Sequence, residues 1–329
     1  GLFPNDYRSG SPPMEIIEGI ENIRRSLKNP VLTIGNFDGV HRGHQALFLK
    51  ARERAEKLNG ETVVITFHPH PLQVLAPGEG PPHITSHERK LELIALCGVD
   101  VAVVVPFSRE FAQMSADDFV KKFLVDRIGP RAIIVGENYR FGNNREGDTI
   151  LLQRMGDQYG FAVETVSGVQ MDGTVVSSTL IRQFIQEGEL REASRLLGRP
   201  YEIAGVVVPG HQRGGRLLGF PTANIRLSGQ APPKRGVYVV RVEVGGDNYG
   251  GAANVGFNPT FGGTELSIEV FLFDFHGNIY EQFIRVHFLE RLRDEKRFSG
   301  PNELALQIRK DVEKARQILL ENHLSLPGQ

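Results

Sequence analysis

Two imidazoles set among three glycines are the first chemistry this chain offers. Residues 35 to 45 read Gly35-Asn36-Phe37-Asp38-Gly39-Val40-His41-Arg42-Gly43-His44-Gln45. Glycines let a backbone come close to a ligand. His41 and His44 are three apart and can share one face of a first helical turn. Imidazole donors beside the unpaired N–H groups and partial positive charge of a helix N-terminus suit a polyphosphate. Zinc is disfavoured, because the only cysteine is Cys97 and no metal-type Cys/His spacing surrounds the histidines.

The flanking residues say what must position this stretch. Val31 to Ile34 is a short, β-branched run bounded by Pro30 and Gly35, the pattern of a buried parallel strand. Gln45 to Arg52 has apolar residues at helical spacing, so the histidines fall on a strand-to-helix turn with the helix starting near Gly43. Further strands are expected at Thr62–Phe67, Val101–Val105, Ala132–Val135 and Phe161–Val166. Helices are expected at His87–Leu96 and Ala116–Val125, the latter capped by Ser115 with Asp117 and Asp118 in its first turn. This alternation predicts an α/β doubly wound parallel sheet, whose ligands bind beyond the carboxyl ends of its strands. The prolines of Thr66-Phe67-His68-Pro69-His70-Pro71 are expected to hold an extended loop and forbid a helix start.

After Gly198-Arg199-Pro200 the texture changes. Short β-type runs recur at Tyr201–Val208, Val237–Val244, Asn248–Val255, Leu266–Phe273 and Ile279–Phe288, which predicts an antiparallel barrel. Leu304, Ile308, Val312, Ala315 and Leu319 form the apolar stripe of a closing helix over Asn302–Leu320. The expected organisation is residues 14–198 as one domain and 199–329 as a second.

The length of 329 residues allows this division. With 40% hydrophobic and 23% charged residues the chain can bury a core, and a net charge of -1 points to no broad nucleic-acid or membrane surface. The single cysteine builds no disulfide framework and fits a reducing cytoplasm. No apolar run approaches the ~18 residues that span a bilayer. Residues 1–13 carry no signal-peptide pattern; Met14 is read as the native start and the stretch before it as a tag remnant or disordered extension.

His-x-Gly-His after a first strand resembles the nucleotidyltransferase signature of the adenylyl- and cytidylyltransferases. The longer form, Gly-x-Phe-Asp-Gly-Val-His-x-Gly-His, resembles one family in particular, the prokaryotic bifunctional riboflavin kinase/FMN adenylyltransferases, or FAD synthetases. Other motifs follow in that family's order. Phe67-His68-Pro69-His70-Pro71 is similar to its Phe-x-Pro-x-Pro stretch, and Val135-Gly136-Glu137-Asn138-Tyr139-Arg140-Phe141-Gly142 to a second motif in which Asn138 and Tyr139 depart from the usual Asp and Phe. Val176-Ser177-Ser178-Thr179-Leu180-Ile181-Arg182 resembles a third, where Ser177 or Ser178 can cap a helix and the Arg182 guanidinium can stabilise charge on leaving pyrophosphate. Gly214-Gly215-Arg216-Leu217-Leu218-Gly219-Phe220-Pro221-Thr222-Ala223-Asn224 carries the riboflavin kinase signature and is not a P-loop. Ala253 to Phe261, Ser267 to Phe271 and Leu292 to Phe298 complete the series, with Phe271 where a His is usual.

The resemblance implies a nucleotidyltransferase, Rossmann-like N-terminal domain and a riboflavin kinase-like barrel. Riboflavin and ATP would give FMN; FMN and a second ATP would give FAD and pyrophosphate, with Mg²⁺ as cofactor. It implies Glu269 as the base for riboflavin phosphorylation, and His41, His44 and Arg182 as the groups that stabilise adenylyl transfer. Gly35, Phe37, Asp38, Gly39, Gly43, Ser177, Ser178, Thr179, Gly214, Gly215 and Gly219 would hold ATP or its phosphates. Phe67, Pro69, Asn138, Arg293 and Phe298 would contact flavin, and Thr222 and Asn224 would bind the metal as neutral oxygen ligands. The expected partners are small molecules, not nucleic acid or membrane. Asn138 and Phe271 keep open a single-activity enzyme with one decayed domain. A non-catalytic flavin-binding regulator would be expected to lose His41, Arg182 or Glu269, and all are present.

Overall fold

A computed structural model describes residues 13–208, 222–227, 229–260 and 263–324. The chain divides into two compact units, Gly1–Pro81 with Ser86–Ser178, and Pro82–Thr85 with Thr179–Gln329.

The first unit is built on strands β1 (Glu15–Glu18), β2 (Val31–Ile34), β3 (Thr62–His68), β4 (Val101–Pro106), β5 (Ala132–Gly136) and β6 (Ala162–Val166). They form one six-stranded sheet of order β1-β4-β3-β2-β5-β6 in which every neighbouring pair is parallel. The continuous apolar runs of the central strands are explained by burial on both faces. On one face Leu32, Val63, Ile65, Val103 and Ile133 pack with Phe119, Phe123 and Leu152. On the other, Val64 packs with Phe48 and Ile94, and Val31 and Ile134 with Ala51. The helices of this unit are α1 (Arg42–Lys57), α2 (Pro71–Leu75), α3 (His87–Leu96), α4 (Arg109–Ala112), α5 (Ala116–Asp118) and α6 (Thr149–Tyr159), followed by a small hairpin of β7 (Gln170–Met171) and β8 (Thr174–Val175). From β2 the chain steps one way to β3 and β4, then returns to β5 and β6 on the other side. The crevice beyond the carboxyl ends of β2 and β5 is therefore the switch point where such sheets bind ligands.

Three local expectations are corrected. A helix does start in the proline-rich loop: Pro71 stands at its first position and His70 Nδ1 accepts from the Leu72 N–H at 3.2 Å. Proline has no N–H to lose at that position, so it favours a helix start instead of forbidding one. The 116–125 helix is capped by Ser115 as expected, but after one α turn it widens into π-type turns over Phe119–Val125. The first strand of the sheet is β1, whose single buried residue, Ile17, presents no apolar run to detect.

Helix α7 (Ser178–Glu187) starts at the last residue of the first unit and continues into the second. The second unit then contains α8 (Leu190–Leu197), β9 (Tyr201–Val206), β10 (Thr222–Arg226), β11 (Gly236–Val244), β12 (Asp247–Thr260), β13 (Gly263–Leu272), β14 (Phe283–Arg293) and α9 (Pro301–Leu324). The strands form an antiparallel sheet of order β10-β13-β12-β11-β14-β9. Beyond β9, the Val208 N–H donates to the Asn224 carbonyl at 2.9 Å, so the two edge strands meet and the sheet curls into a barrel. The stripe of α9 packs Ile308, Val312, Ala315 and Ile318 on Val239, Ala252 and Phe273. Strand β10 carries Thr222 and Asn224 in a stretch where no strand was expected.

An ion-pair network ties the β1 edge to the sheet. Arg25 Nη2 lies 2.7 Å from Glu15 and 2.6 Å from Glu61, and Glu61 also accepts from the Lys28 N–H. The Arg25 hydrogen bond, ahead of the opposing cost of burial, holds the Glu61 carboxyl below its ordinary range. A depressed folded-state pKa contributes stability above the unfolded carboxylate pKa that is lost as pH falls through the folded value. Glu61→Gln is therefore expected to cost about 1 kcal/mol at neutral pH, given the partial exposure of the pair. The gap to the parent should close as the medium is acidified below about pH 4. Urea titrations at both pH values measure this, and a gap that persists in acid would contradict it.

Candidate active sites

The turn after β2 is held in an uncommon backbone path. Phe37 and Val40 have φ of 52° and 42°, and Gly39 has φ of 83° between them. For a β-branched residue such as Val40 a left-handed φ is strained and needs support from its surroundings. Side chains from four elements supply it by holding alternate carbonyls. The Asn36 carbonyl accepts from Lys90 Nζ of α3 at 3.2 Å and from Thr66 Oγ1 of β3 at 3.2 Å. The Asp38 carbonyl accepts from Ser178 Oγ at 2.9 Å, and the Val40 carbonyl from Gln45 Nε2 of α1 at 2.9 Å. The Val40 N–H closes the turn onto the Phe37 carbonyl.

The two histidines do different work. His41 is the N-cap of α1, its Nδ1 accepting from the N–H groups of Gly43 and His44 at 3.1 and 3.3 Å. The helix therefore starts at Arg42, and two of its first amides are taken up by a ring instead of standing open. An imidazole that accepts through Nδ1 carries its proton on Nε2, so the cap fixes the tautomer. His44 stacks on His41 with ring centroids 3.5 Å apart and sets its edge against Phe37 at 5.2 Å. Gly43 favours this arrangement: a Cβ there would meet His41 Cε1 at 3.0 Å and push the ring by a few tenths of an ångström.

A cleft of about 670 Å³ opens beside the turn and shares Gly35 and Asn36 with it. Its walls are aromatic, with Phe67, Phe107, Phe111, Phe119, Tyr139 and Phe141 among the lining residues. Phe67 lies edge-on to Phe107 at 6.0 Å, and Tyr139 stacks on Phe141 at 5.5 Å. Such walls accept a planar aromatic ligand by offset and edge contacts. The Asn36 Oδ1 is buried and has no hydrogen-bond partner among the described residues.

Lys90 lies behind this surface. Its side chain is 7% exposed, and Nζ donates to Thr66 Oγ1 at 3.0 Å and to the Phe67 carbonyl at 3.3 Å, besides Asn36. Burial pushes its pKa down to about 8 against the opposing charge of Asp38. Burial, with the nearby charges of His68 and Lys90, pushes His87 down to about 4, and its ring stacks on His68 at 4.0 Å.

In the second unit the sheet register builds a polar row. Asn224 of β10 and Asn254 of β12 both stand opposite Glu269 of β13. Directly opposed residues project to the same face of a sheet. Thr222 stands opposite Phe271. A pocket of about 490 Å³ is lined by Asn254, Glu269, Phe271, Arg293 and Phe298. Arg293 closes it through a fork on Asp311 of α9, with Nε 3.0 Å from both carboxylate oxygens and Nη2 2.7 Å from one, and its guanidinium lies over Phe298 at 5.9 Å.

The expected site residues thus fall into separate groups. Gly35, Phe37, Asp38, Gly39, His41, Gly43, His44 and Ser178 meet at one turn, with the Ser178 proton committed to Asp38. Phe67 and Asn138 line the aromatic cleft, whereas Pro69 is absent from its lining. Ser177 lies just before α7 in the first unit, which ends at Ser178, and Thr179 opens the part of α7 in the second. Arg182 is also in the second unit, where its Nε donates to the Pro82 carbonyl at 2.8 Å. Thr222 and Asn224 are on β10, both 7% exposed. Gly214, Gly215 and Gly219 lie outside the described residues. Asn36, Gln45, Thr66, Lys90 and Asp311 make contacts at these sites that no motif announced; only a lysine and a glutamine on otherwise apolar helix faces hinted at them.

The cap makes a stability prediction. His41→Ala should cost about 1 kcal/mol, the worth of an N-cap. His41→Asn should recover most of it, because Asn Oδ1 occupies nearly the place of Nδ1. Chemical denaturation monitored by circular dichroism measures both, and equal losses would contradict the capping role.

Comparisons with known proteins match two families along the chain. A family model described as FAD synthetase matches residues 23–180, and one described as riboflavin kinase matches residues 197–319. The bifunctional riboflavin kinase/FMN adenylyltransferase of Haemophilus influenzae is 39% identical over 92% of this chain and 98% of its own length. That of Escherichia coli is 40% identical over 92% of this chain and 97% of its own. A crystal structure from Streptococcus pneumoniae described as a macrolide-efflux protein superposes with a TM-score of 0.82 at 35% identity, covering 93% of this chain and 99% of its own. In the present chain no helix among the described residues is long and apolar enough to cross a membrane. With both family models matched in order and relatives near 40% identity across almost the whole chain, the protein belongs to the bifunctional riboflavin kinase/FMN adenylyltransferase family.

Proposed function

We propose that residues 14–198 carry out FMN adenylylation and residues 199–329 riboflavin phosphorylation. The chain is a FAD synthetase, converting riboflavin and ATP to FMN and ADP, then FMN and ATP to FAD and pyrophosphate. The observation that carries the adenylylation half is the continuity of the aromatic cleft with the histidine turn through Gly35 and Asn36. A flavin ring in that cleft would bring its phosphate toward the turn where ATP is expected.

In adenylyl transfer an FMN phosphate oxygen forms a bond to the α-phosphorus as the bond to the bridging oxygen breaks and pyrophosphate leaves. The nucleophile is already an anion, so the protein's task is orientation and charge stabilisation. His41 offers an N–H at Nε2 and His44 lies stacked beside it, and the motif that ends in Arg182 is the one whose resemblance assigns charge stabilisation to that guanidinium. In phosphorylation the riboflavin hydroxyl attacks the γ-phosphorus, its proton passes to Glu269, and ADP leaves. Arg293 and Phe298 would line the flavin side, with Arg293 acting through the wall that its Asp311 fork holds.

Magnesium fits the second unit through donor chemistry. Thr222 and Asn224 offer neutral oxygens, the Asn224 amide nitrogen is buried without a hydrogen-bond partner among the described residues, and Glu269 stands opposite. No group of three or more His, Cys, Asp or Glu among the described residues could hold a metal by itself. Such a site suits Mg²⁺ bound mainly through ATP phosphates and water. When bound, the ion neutralises charge on the transferring phosphates. A cytoplasmic setting and small-molecule partners, not nucleic acid or membrane, belong to the same proposal.

Chromatography of riboflavin incubated with ATP and Mg²⁺ tests the reading. FAD is the expected product; FMN alone would indicate a decayed adenylylation site, and no conversion would indicate a binder. Glu269→Gln should lower FMN formation roughly 10²–10⁴-fold while adenylylation of supplied FMN persists. Simultaneous loss of both activities in a folded variant would defeat the two-site assignment. His44→Ala and His41→Asn should each lower FAD formation on the order of 10²-fold, more in kcat than in KM for ATP, and spare riboflavin phosphorylation. Unchanged FAD formation would make the histidine turn purely structural.

A further inference from the structure

We propose that Lys90 is a positioning residue for adenylyl transfer: by joining the turn after β2 to the end of β3, it sets the spacing between the two bound substrates. The inference rests on the reading of this unit as the adenylylation site. Its observations are geometric. One ammonium reaches the carbonyl of Asn36, in the turn assigned to ATP, and the carbonyl of Phe67, in the segment assigned to flavin, at 3.2 and 3.3 Å. Both Asn36 and Phe67 line the aromatic cleft. Thr66 Oγ1 completes the junction, accepting from Lys90 Nζ at 3.0 Å and donating to the Asn36 carbonyl at 3.2 Å. Thr66 is fully buried and Lys90 nearly so.

A buried ammonium has a large desolvation cost, which its hydrogen bonds and the nearby Asp38 charge offset. An apolar side chain would fill the same space more cheaply if packing were all that was needed. An ammonium has three donors, and here three are directed at three acceptors on two segments. Each substrate contacts its own segment, so cutting the junction leaves each binding surface in place while loosening the distance between them. In-line attack depends on that distance, and a misplacement of about 1 Å can cost on the order of 10²-fold in rate.

Lys90→Met removes the junction and keeps an unbranched chain of similar length. Steady-state formation of FAD from FMN and ATP should show kcat reduced on the order of 10²-fold, with KM for FMN and for ATP each within about threefold of the parent. Riboflavin phosphorylation by the same preparation, which belongs to the other unit, should be unchanged and reports that the chain is correctly quantified, while circular dichroism reports that the unit carrying Lys90 is folded. Thr66→Val removes only the central hydroxyl and should lower kcat roughly tenfold by the same positioning effect. Thr66→Ser retains the hydroxyl and should restore most of it. Parent-like kcat in Lys90→Met, a loss carried by either KM, or equal behaviour of the Ser and Val variants would overturn the proposal. If Lys90→Met fails to fold, the Thr66 pair decides by the same criteria. A parent enzyme that forms FMN but no FAD would instead remove the adenylylation reading itself, and the role of Lys90 with it.

Discussion

The proposed adenylylation site depends on a backbone turn that cannot hold its shape alone. Left-handed φ at Phe37 and Val40, on either side of Gly39, is unfavourable for side-chain-bearing residues. The path is maintained by hydrogen bonds to Asn36, Asp38 and Val40 from β3, α3, the start of α7 and α1. Tying the carbonyls to the protein side lets the rest of the turn present its other face to ligand. The sheet beneath is rigid for a complementary reason: its central strands are buried on both faces, so the end of β2 is a fixed point from which the turn departs.

The same economy appears at the head of α1. A helix N-terminus could attract phosphate by its open amides alone. Here the His41 ring takes two of those amides, so in the proposed site an imidazole in a defined tautomer stands in their place. The ring lies there without a tight contact because residue 43 has no side chain, and His44 stacks on it. The glycine serves the histidine as much as it serves any ligand.

The barrel solves a different problem. Its candidate base, Glu269, is flanked across the sheet by Asn224 and Asn254, an arrangement set by strand register. A slip of one residue in either pairing would turn these side chains to the opposite face. The bond from Val208 to Asn224 brings the edge strands together at β10, the strand that carries Thr222 and Asn224. On the other wall, the Arg293–Asp311 fork joins the end of β14 to the packed face of α9, so helix packing and pocket shape are coupled.

Much of this was legible from sequence, and the boundary is physical. The strand–turn–helix at 31–57, the central strands, α3, most barrel strands and the terminal helix declare themselves through periodicity, which is a local property. Motif order was enough to identify the family and its two reactions. What tertiary structure decided are interactions between distant residues: Ser178 with Asp38, Lys90 with Asn36, and Arg182 with Pro82. The pairing of β10 beside β13 was hidden because a five-residue strand next to a glycine- and proline-rich stretch reads as a loop until its partner is known. Likewise, nothing in the spacing of His41 and His44 distinguishes two parallel donors from a cap and its stacking partner. Composition and local pattern determined which elements form and which chemistry the chain carries. Only the folded neighbourhood decided which polar atoms face a ligand and which are spent holding the site in shape.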